Sequence, residues 1–160
     1  MDQDLGLLSK DELSQLEDAF AYITILIAGA DGKIDEKEIT WAEKIAHIRS
    51  YAGDERLKAF HEEVDHNLHS KIQTLISELP TEVAKRSALI SEKLSQLNPI
   101  LTSLDPYIGA YLYKGYVSFA QRVAKSSGGF LSFFTITPEE KKWVGLPMLN
   151  AILYDEGEEE

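Results

Sequence analysis

Residues 9–32 read SKDELSQLEDAFAYITILIAGADG, and this stretch decides the class of the fold. Its large apolar residues recur at intervals of three and four, the spacing that places side chains on one face of an α-helix. These residues are Leu13, Leu16, Phe20, Ile23 and Ile27. Ser9 and Glu12 form the residue pair of a capping box, in which each side chain bonds the other residue's backbone N–H. We therefore predict a helix from about residue 10 to 30, ended by Asp31-Gly32.

The helical period continues after this loop. A second helix is predicted to begin at Asp35 as N-cap, with Glu38 as its capping-box partner. It ends at Gly53-Asp54, because glycine reaches the backbone angles that terminate a helix at little cost. A third helix carries an apolar stripe that runs to Pro80. The stripe consists of Leu57, Phe60, Val64, Leu68, Ile72, Leu75 and Leu79.

Two further helices follow in the predicted order. Thr81 is the expected N-cap of the fourth helix. Asn98-Pro99 breaks that helix, because the residue before proline avoids the helical conformation. Asp105-Pro106 opens the fifth helix, since proline at the first helical position gives up an N–H that has no partner there. The segment 126–129 ends it.

A last helix is predicted to start at Thr137, and Gly145 and Pro147 kink or split it. No long stretch alternates with the period of two that a half-buried strand needs. The fold class is therefore all-α, a helical bundle. We expect a single domain over residues 1–154 and a disordered acidic tail over residues 155–160.

Length and charge exclude several classes of function. The 160 residues are enough for one domain with its own core, and the formal net charge is −11. An acidic chain is not expected to bind nucleic acid, because the phosphate backbone selects basic surfaces. No apolar run has the roughly 18 residues of a membrane span, and the acidic N-terminus lacks the basic region of a signal peptide. A cytoplasmic location is therefore expected. The absence of cysteine removes thiolate zinc sites, iron–sulfur clusters and cysteine nucleophiles.

The sequence contains two similar segments. Residues 28–34 (AGADGKI) correspond to residues 124–130 (AKSSGGF) at an offset of 96. After the loop the offset becomes 102, because the second copy carries six extra residues around 131–136. The residues matched at this second offset are Asp35 with Thr137, Glu38 with Glu140, and Trp41 with Trp143. We interpret the chain as a bundle built from two pseudo-repeated helix–loop–helix units.

The sequence resembles the tellurite-resistance protein B (TerB-like) family in two places. The first is residues 28–34 with the acidic helix start that follows them. The second is residues 124–130 followed by Glu139-Glu140-Lys141. The resemblance covers about residues 16–49 and 112–152. It implies an all-helical bundle in which the Asp-Gly loops of the two repeats lie close together and their acidic residues bind a divalent metal. It also implies a non-enzymatic module of a cytoplasmic stress response, such as tellurite resistance.

Three acidic residues are the candidate metal ligands. Asp31, Asp35 and Glu38 lie within one loop and one helical turn, and calcium or magnesium takes oxygen ligands from such a group. Ser127 stands where the family commonly has Asp, so the candidates come from the first unit. The loop is not an EF-hand, because its twelfth position is Ala42 rather than Glu. The alternative is a turn and a capping box, in which these carboxylates bond backbone N–H groups.

Three histidines suggest a second site. Glu62, His66 and His69 share a face of the third predicted helix, with His61 beside them, and imidazole with carboxylate can hold zinc. A polar, solvated helix face explains the same residues. A metal-dependent enzyme that combines the acidic loop with this helix is the rival to a binding module. No catalytic residue and no residue binding an organic cofactor is predicted, because Ser126 and the glycines after it match neither a nucleophile elbow nor a phosphate loop.

The six-residue insertion is unusually apolar. Its region contains Phe130, Leu131, Phe133 and Phe134. Apolar side chains in a loop are either buried under their own helices or exposed as a contact surface. We expect protein partners, with a homodimer through this aromatic insertion. A ligand-free interaction scaffold is the third alternative.

Overall fold

The computed structural model describes residues 3–126 and 138–154. This part of the chain is helical and has no strand, which confirms the all-α prediction. The elements are α1 (Gln3–Gly6), α2 (Lys10–Ala28), α3 (Glu36–Ala52), a 3-10 helix (Glu55–Leu57), α4 (Lys58–Glu78), α5 (Val83–Ser95), α6 (Leu97–Ser103), α7 (Pro106–Lys125) and α8 (Pro138–Trp143).

Helix α2 is the central helix of the bundle. Every residue from Ile23 to Ala28 is buried, and a helix that is apolar on all sides belongs in the interior. Thr24 fits there because its hydroxyl donates a 2.7 Å hydrogen bond to the carbonyl of Phe20. Helices α3 to α8 all pack against α2. The segment that decides the fold class is therefore also the one around which the others are arranged.

Two helix N-termini that have local capping signals, those of α2 and α7, form as predicted. The backbone N–H of Glu12 donates to Ser9 Oγ and that of Ser9 donates to Glu12 Oε1, both at 3.0 Å. Asp105 caps α7 through the N–H groups of residues 107 and 108, with Pro106 at the first position. The loop after α2 turns at Gly32, whose φ of 102° lies in the region that favours glycine.

Three boundary predictions are wrong. Asp35 caps α3, but the Glu38 side chain does not complete the capping box and is buried instead. Helix α5 has Glu82 as its N-cap residue rather than Thr81, and no side chain caps it. Pro99 lies in the first turn of α6, where the N–H that proline lacks has no helical partner. The chain therefore turns into a new helix at Gln96 instead of breaking at Asn98-Pro99.

The chain from Val144 to residue 154 is not helical, so Gly145 and Pro147 end α8 rather than kink it. Asn98 fixes this segment with both ends of its amide. Its Nδ2 donates to the carbonyl of Met148 at 3.0 Å, and the N–H of Asn150 donates to its Oδ1 at 2.8 Å. Leu146 and Leu149 are thereby buried in the core.

Large buried apolar side chains from α1 to the segment after α8 form one cluster. None of the helices in residues 3–126 and 138–154 combines the length and the apolar character needed to cross a bilayer. The predicted second repeat loop, the aromatic insertion (Phe130, Leu131, Phe133, Phe134) and the tail 155–160 lie outside the described residues. The prediction of two pseudo-repeated units therefore stays a prediction.

Candidate functional site

The two aspartates of the predicted metal site make local contacts. Asp31 is exposed in the loop between α2 and α3, and its Oδ1 accepts from the backbone N–H of Lys33 at 3.3 Å. Asp35 Oδ1 accepts from the N–H groups of Lys37 and Glu38, at 2.8 and 3.2 Å. Each aspartate therefore uses one carboxylate oxygen on its own backbone, as in a turn and an N-cap.

Glu38 has different surroundings. Its side chain is only 3% exposed, and no N–H or O–H group of the described residues donates to its Oε2. The polar group next to it is the carboxyl of Glu140 on α8, which is 6% exposed. The two side chains form a hydrogen bond when one of them carries a proton. The bundle thus brings two carboxyl groups into contact in its interior.

This environment raises the pKa of Glu38 to about 9. The largest cause is burial, which disfavours the charged form, followed by the hydrogen bond and the negative charge of Glu140. The charges of Asp35 and Asp31 add smaller contributions in the same direction. At neutral pH the contact between Glu38 and Glu140 therefore favours a form in which the pair holds a proton.

The acidic residues form a pair with two charged neighbours rather than a full ligand set. Glu38 and Glu140 are in contact, whereas Asp35 and Asp31 influence Glu38 through their charge. Within the two described ranges, no group of three or more His, Asp or Glu is arranged to hold a metal ion. A cation at this place would thus have few protein ligands.

The three histidines on α4 do not share one environment. His61 is buried, with its ring 5.2 Å from that of Phe60, and burial followed by the charge of Arg49 lowers its pKa to about 4. His66 is exposed. His69 Nδ1 lies 2.9 Å from Glu43 Oε2 on α3. The structure therefore turns His69 toward α3 and His61 into the core.

Sequence reasoning missed Glu140 as a member of the acidic site. A signal for it exists, because the repeat alignment matches Glu38 with Glu140 at the offset of 102. Packing of α8 against α2 places Glu140 against the side chain of Glu38.

Comparisons of this chain with family models, with curated proteins and with solved structures found no match. Among the described carboxyl groups, Glu38 has the pKa that is raised furthest above its ordinary value, and its neighbour is the buried carboxyl of Glu140.

Proposed function

We propose that this chain is a non-enzymatic, TerB-like binding module of the cytoplasm that acts in a stress response such as tellurite resistance. Its ligand is a divalent cation bound at Glu38 and Glu140. The buried contact between these two carboxyl groups carries the proposal. Two adjacent carboxylates cannot both ionise in the interior without a compensating positive charge. A proton compensates one charge, whereas a divalent cation compensates both.

The donor set favours a small, hard cation. Glu38 Oε2 is a buried carboxylate oxygen without a donor, which is the kind of atom that a cation satisfies. Mg²⁺ retains several of its waters and is often bound through one or two carboxylates, whereas Ca²⁺ takes about six to eight oxygens. The pair therefore fits Mg²⁺ or a cation of similar size better than Ca²⁺.

Asp31 and Asp35 assist from the loop beside the pair. Both are close enough for their charges to act on Glu38. Their negative charge raises the local concentration of cations, and each has a second carboxylate oxygen besides the one bonded to backbone. In this proposal the predicted ligands Asp31, Asp35 and Glu38 keep a role, with Glu140 added.

The test is thermal unfolding of chelator-treated protein at pH 6 and pH 8, with and without millimolar Mg²⁺, Mn²⁺, Ca²⁺ or Zn²⁺. A cation at about a hundred times its dissociation constant adds roughly 2.7 kcal/mol to the free energy of unfolding. Because the cation displaces a proton from Glu38, the rise in melting temperature should be larger at pH 8 than at pH 6.

Two variants on α8 locate the site. Glu140→Gln preserves side-chain volume and the hydrogen bond to Glu38 but removes a charge, so we expect it to abolish the effect of the cation. Glu139→Gln removes the same charge from an exposed neighbour and should leave the effect unchanged. A shift that is equal in both variants, or no shift with any cation, contradicts the proposal.

We also propose that the module works through protein partners, beginning with a second copy of itself bound through the aromatic insertion. The apolar residues of the insertion support this part of the proposal. Sedimentation velocity of the wild type and of Phe133→Ser tests it. A dimer that dissociates in the variant is expected, and a wild type that stays monomeric at every concentration contradicts it.

A further inference from the structure

A cavity of about 520 Å³ opens between α3 and α7, and neither Glu38 nor Glu140 lines it. Phe20 of α2 and His61 of α4 line its inner end, and Trp41 and Ile48 of α3 lie along it with 40% and 39% of their surface exposed. Its volume falls in the range of about 300 to 1,000 Å³ that is usual for small-molecule sites. The wall of the cavity is mostly apolar, and Leu112 of α7 is part of it.

The charged residues of this cavity are all basic. Arg49, Lys114 and Arg122 line it, and no carboxylate does so within the described part of the chain. None of the three forms an ion pair with an Asp or Glu of residues 3–126 and 138–154. In a chain with a net charge of −11, this is a local concentration of uncompensated positive charge.

Arg49 is held in place by two hydrogen bonds from its guanidinium group. Its Nη1 donates to the carbonyl of Gly115 at 3.0 Å, and its Nη2 donates to Ser118 Oγ at 2.8 Å. Both partners are neutral, so the charge of the half-buried guanidinium has no counter-ion in the part of the chain that the structure describes. Arg49 and Arg122 line the same cavity, and burial, followed by the neighbouring positive charge of Arg122, lowers the pKa of Arg49. An anion bound beside both would compensate their charges.

We propose that this cavity binds a small molecule with an apolar body and one anionic head group, of the chemical class of a medium-chain carboxylate. The head group lies against Arg49 and Arg122, and the apolar body packs along Ile45, Ile48 and Leu112. Arginine suits this role because its planar fork binds a carboxylate through two parallel hydrogen bonds. The cavity has no lining residue in common with the acidic pair, so its binding of an anion does not require cation binding at Glu38 and Glu140.

Direct titration with decanoate, below the concentration at which it forms micelles, tests the proposal. The fluorescence of Trp41, one of two tryptophans, reports binding because its ring lines the cavity. Trp41→Phe identifies its share of the signal, and calorimetry gives the affinity in both proteins. Decanol has the same chain without the charge and should bind at least about tenfold more weakly, since hydrogen bonds to a charged group contribute about 1.5 to 3 kcal/mol. Decyltrimethylammonium should not bind.

Arg122→Gln and Lys125→Gln form a matched pair of variants. Both residues are exposed cations near the end of α7, but only Arg122 lines the cavity. Arg122→Gln should weaken decanoate binding about tenfold and leave decanol unchanged, whereas Lys125→Gln should alter neither. Gly115→Leu fills the cavity, because a Cβ at this position meets only Arg49 Nη1 at 3.8 Å. It should abolish binding of both compounds.

Three results would each overturn the proposal. They are the absence of decanoate binding, equal affinities for decanoate and decanol, and loss of binding in Lys125→Gln to the same extent as in Arg122→Gln. Melting temperatures of all variants confirm that each protein is folded before its affinity is compared.

Discussion

The side chain of Glu38 on α3 meets the side chain of Glu140 on α8 in the interior, where each is less than one-tenth exposed. Their contact joins the first turns of two helices, α3 and α8. Because one of the two carboxyl groups must stay protonated, the contact makes the stability of the free protein depend on pH.

The direction of that dependence follows from the raised pKa of Glu38. Between its ordinary value of 4.5 and about 9, the folded chain binds more protons than the unfolded chain. The contribution of Glu38 to the free energy of unfolding should therefore fall as pH rises through this interval, by at most about 1.4 kcal/mol per pH unit for one proton. Glu140→Gln should flatten this slope, because its amide donates to an ionised Glu38 and replaces the shared proton. Denaturant unfolding from pH 5 to pH 9 in a chelating buffer measures it.

Glu139→Gln is the control for this slope as well. It removes an exposed carboxylate next to Glu140 and should follow the wild-type curve at every pH. If Glu140→Gln also follows the wild-type curve, the two carboxyl groups do not share a proton in solution.

His61 should produce the opposite slope at lower pH. Burial, with a smaller contribution from Arg49, lowers its pKa from 6.5 to about 4, so the unfolded chain binds the extra proton in this interval. The stability that depends on neutral His61 is therefore complete above pH 6.5 and is lost as pH falls toward 4. The ring resonances of His61, followed by NMR, should titrate with a midpoint near 4. A midpoint at or above 6 would contradict its burial beside Phe60.

The helix N-termini that could be predicted from the sequence are those whose capping residues all lie within a few positions of each other. Ser9 with Glu12, and Asp105 with Pro106, form their caps from neighbouring residues, so no distant contact is needed to specify them. Pro99 shows the limit of such rules. The sequence marks it as a break, yet packing of α6 against α7 and α2 places it in a first turn that tolerates proline.

The candidate sites also differ in whether neighbouring residues or tertiary packing specify them. The cap formed by Asp35 is local and was predictable, whereas the contact of Glu38 with Glu140 depends on how α8 packs. The cavity is entirely tertiary, since Arg49 and Arg122 lie on different helices and neither belongs to a motif. Periodicity predicts which faces are buried, but it does not predict which charged residues remain beside a gap between helices.

Two glycines of α7 should respond in opposite ways to alanine. A Cβ at Gly109 would lie 2.7 Å from the carbonyl oxygen of Leu101, so Gly109→Ala must push α6 away, at a cost of about 1 to 3 kcal/mol. A Cβ at Gly115 has only an ordinary contact, and Gly115→Ala should stabilise the helix by about 0.5 to 1 kcal/mol. Denaturant unfolding of both variants measures the difference. Equal effects would show that α6 and α7 are not in close contact there.

Arg86 of α5 completes the C-terminal end of α2. Helix α2 has no basic residue in its last turn, and the buried guanidinium of Arg86 donates from Nη2 to the carbonyl oxygen of Gly29 at 2.7 Å. The same carbonyl oxygen also accepts from the backbone N–H of Gly32 at 3.0 Å, so Arg86 adds a second hydrogen bond there. It also places a positive charge at the helix end where the dipole favours one. Arg86→Ala should therefore lower the free energy of unfolding by about 1.5 to 3 kcal/mol, the contribution of a hydrogen bond to a charged group.

Lys85→Ala provides the control from the adjacent position. Lys85 is exposed and forms only a 3.7 Å ion pair with Glu82, and such surface pairs contribute at most about 1 kcal/mol. Denaturant unfolding of both variants should show a clearly larger loss for Arg86→Ala. Equal losses would mean that α5 stabilises the end of the central helix through packing alone, without the hydrogen bond from Arg86.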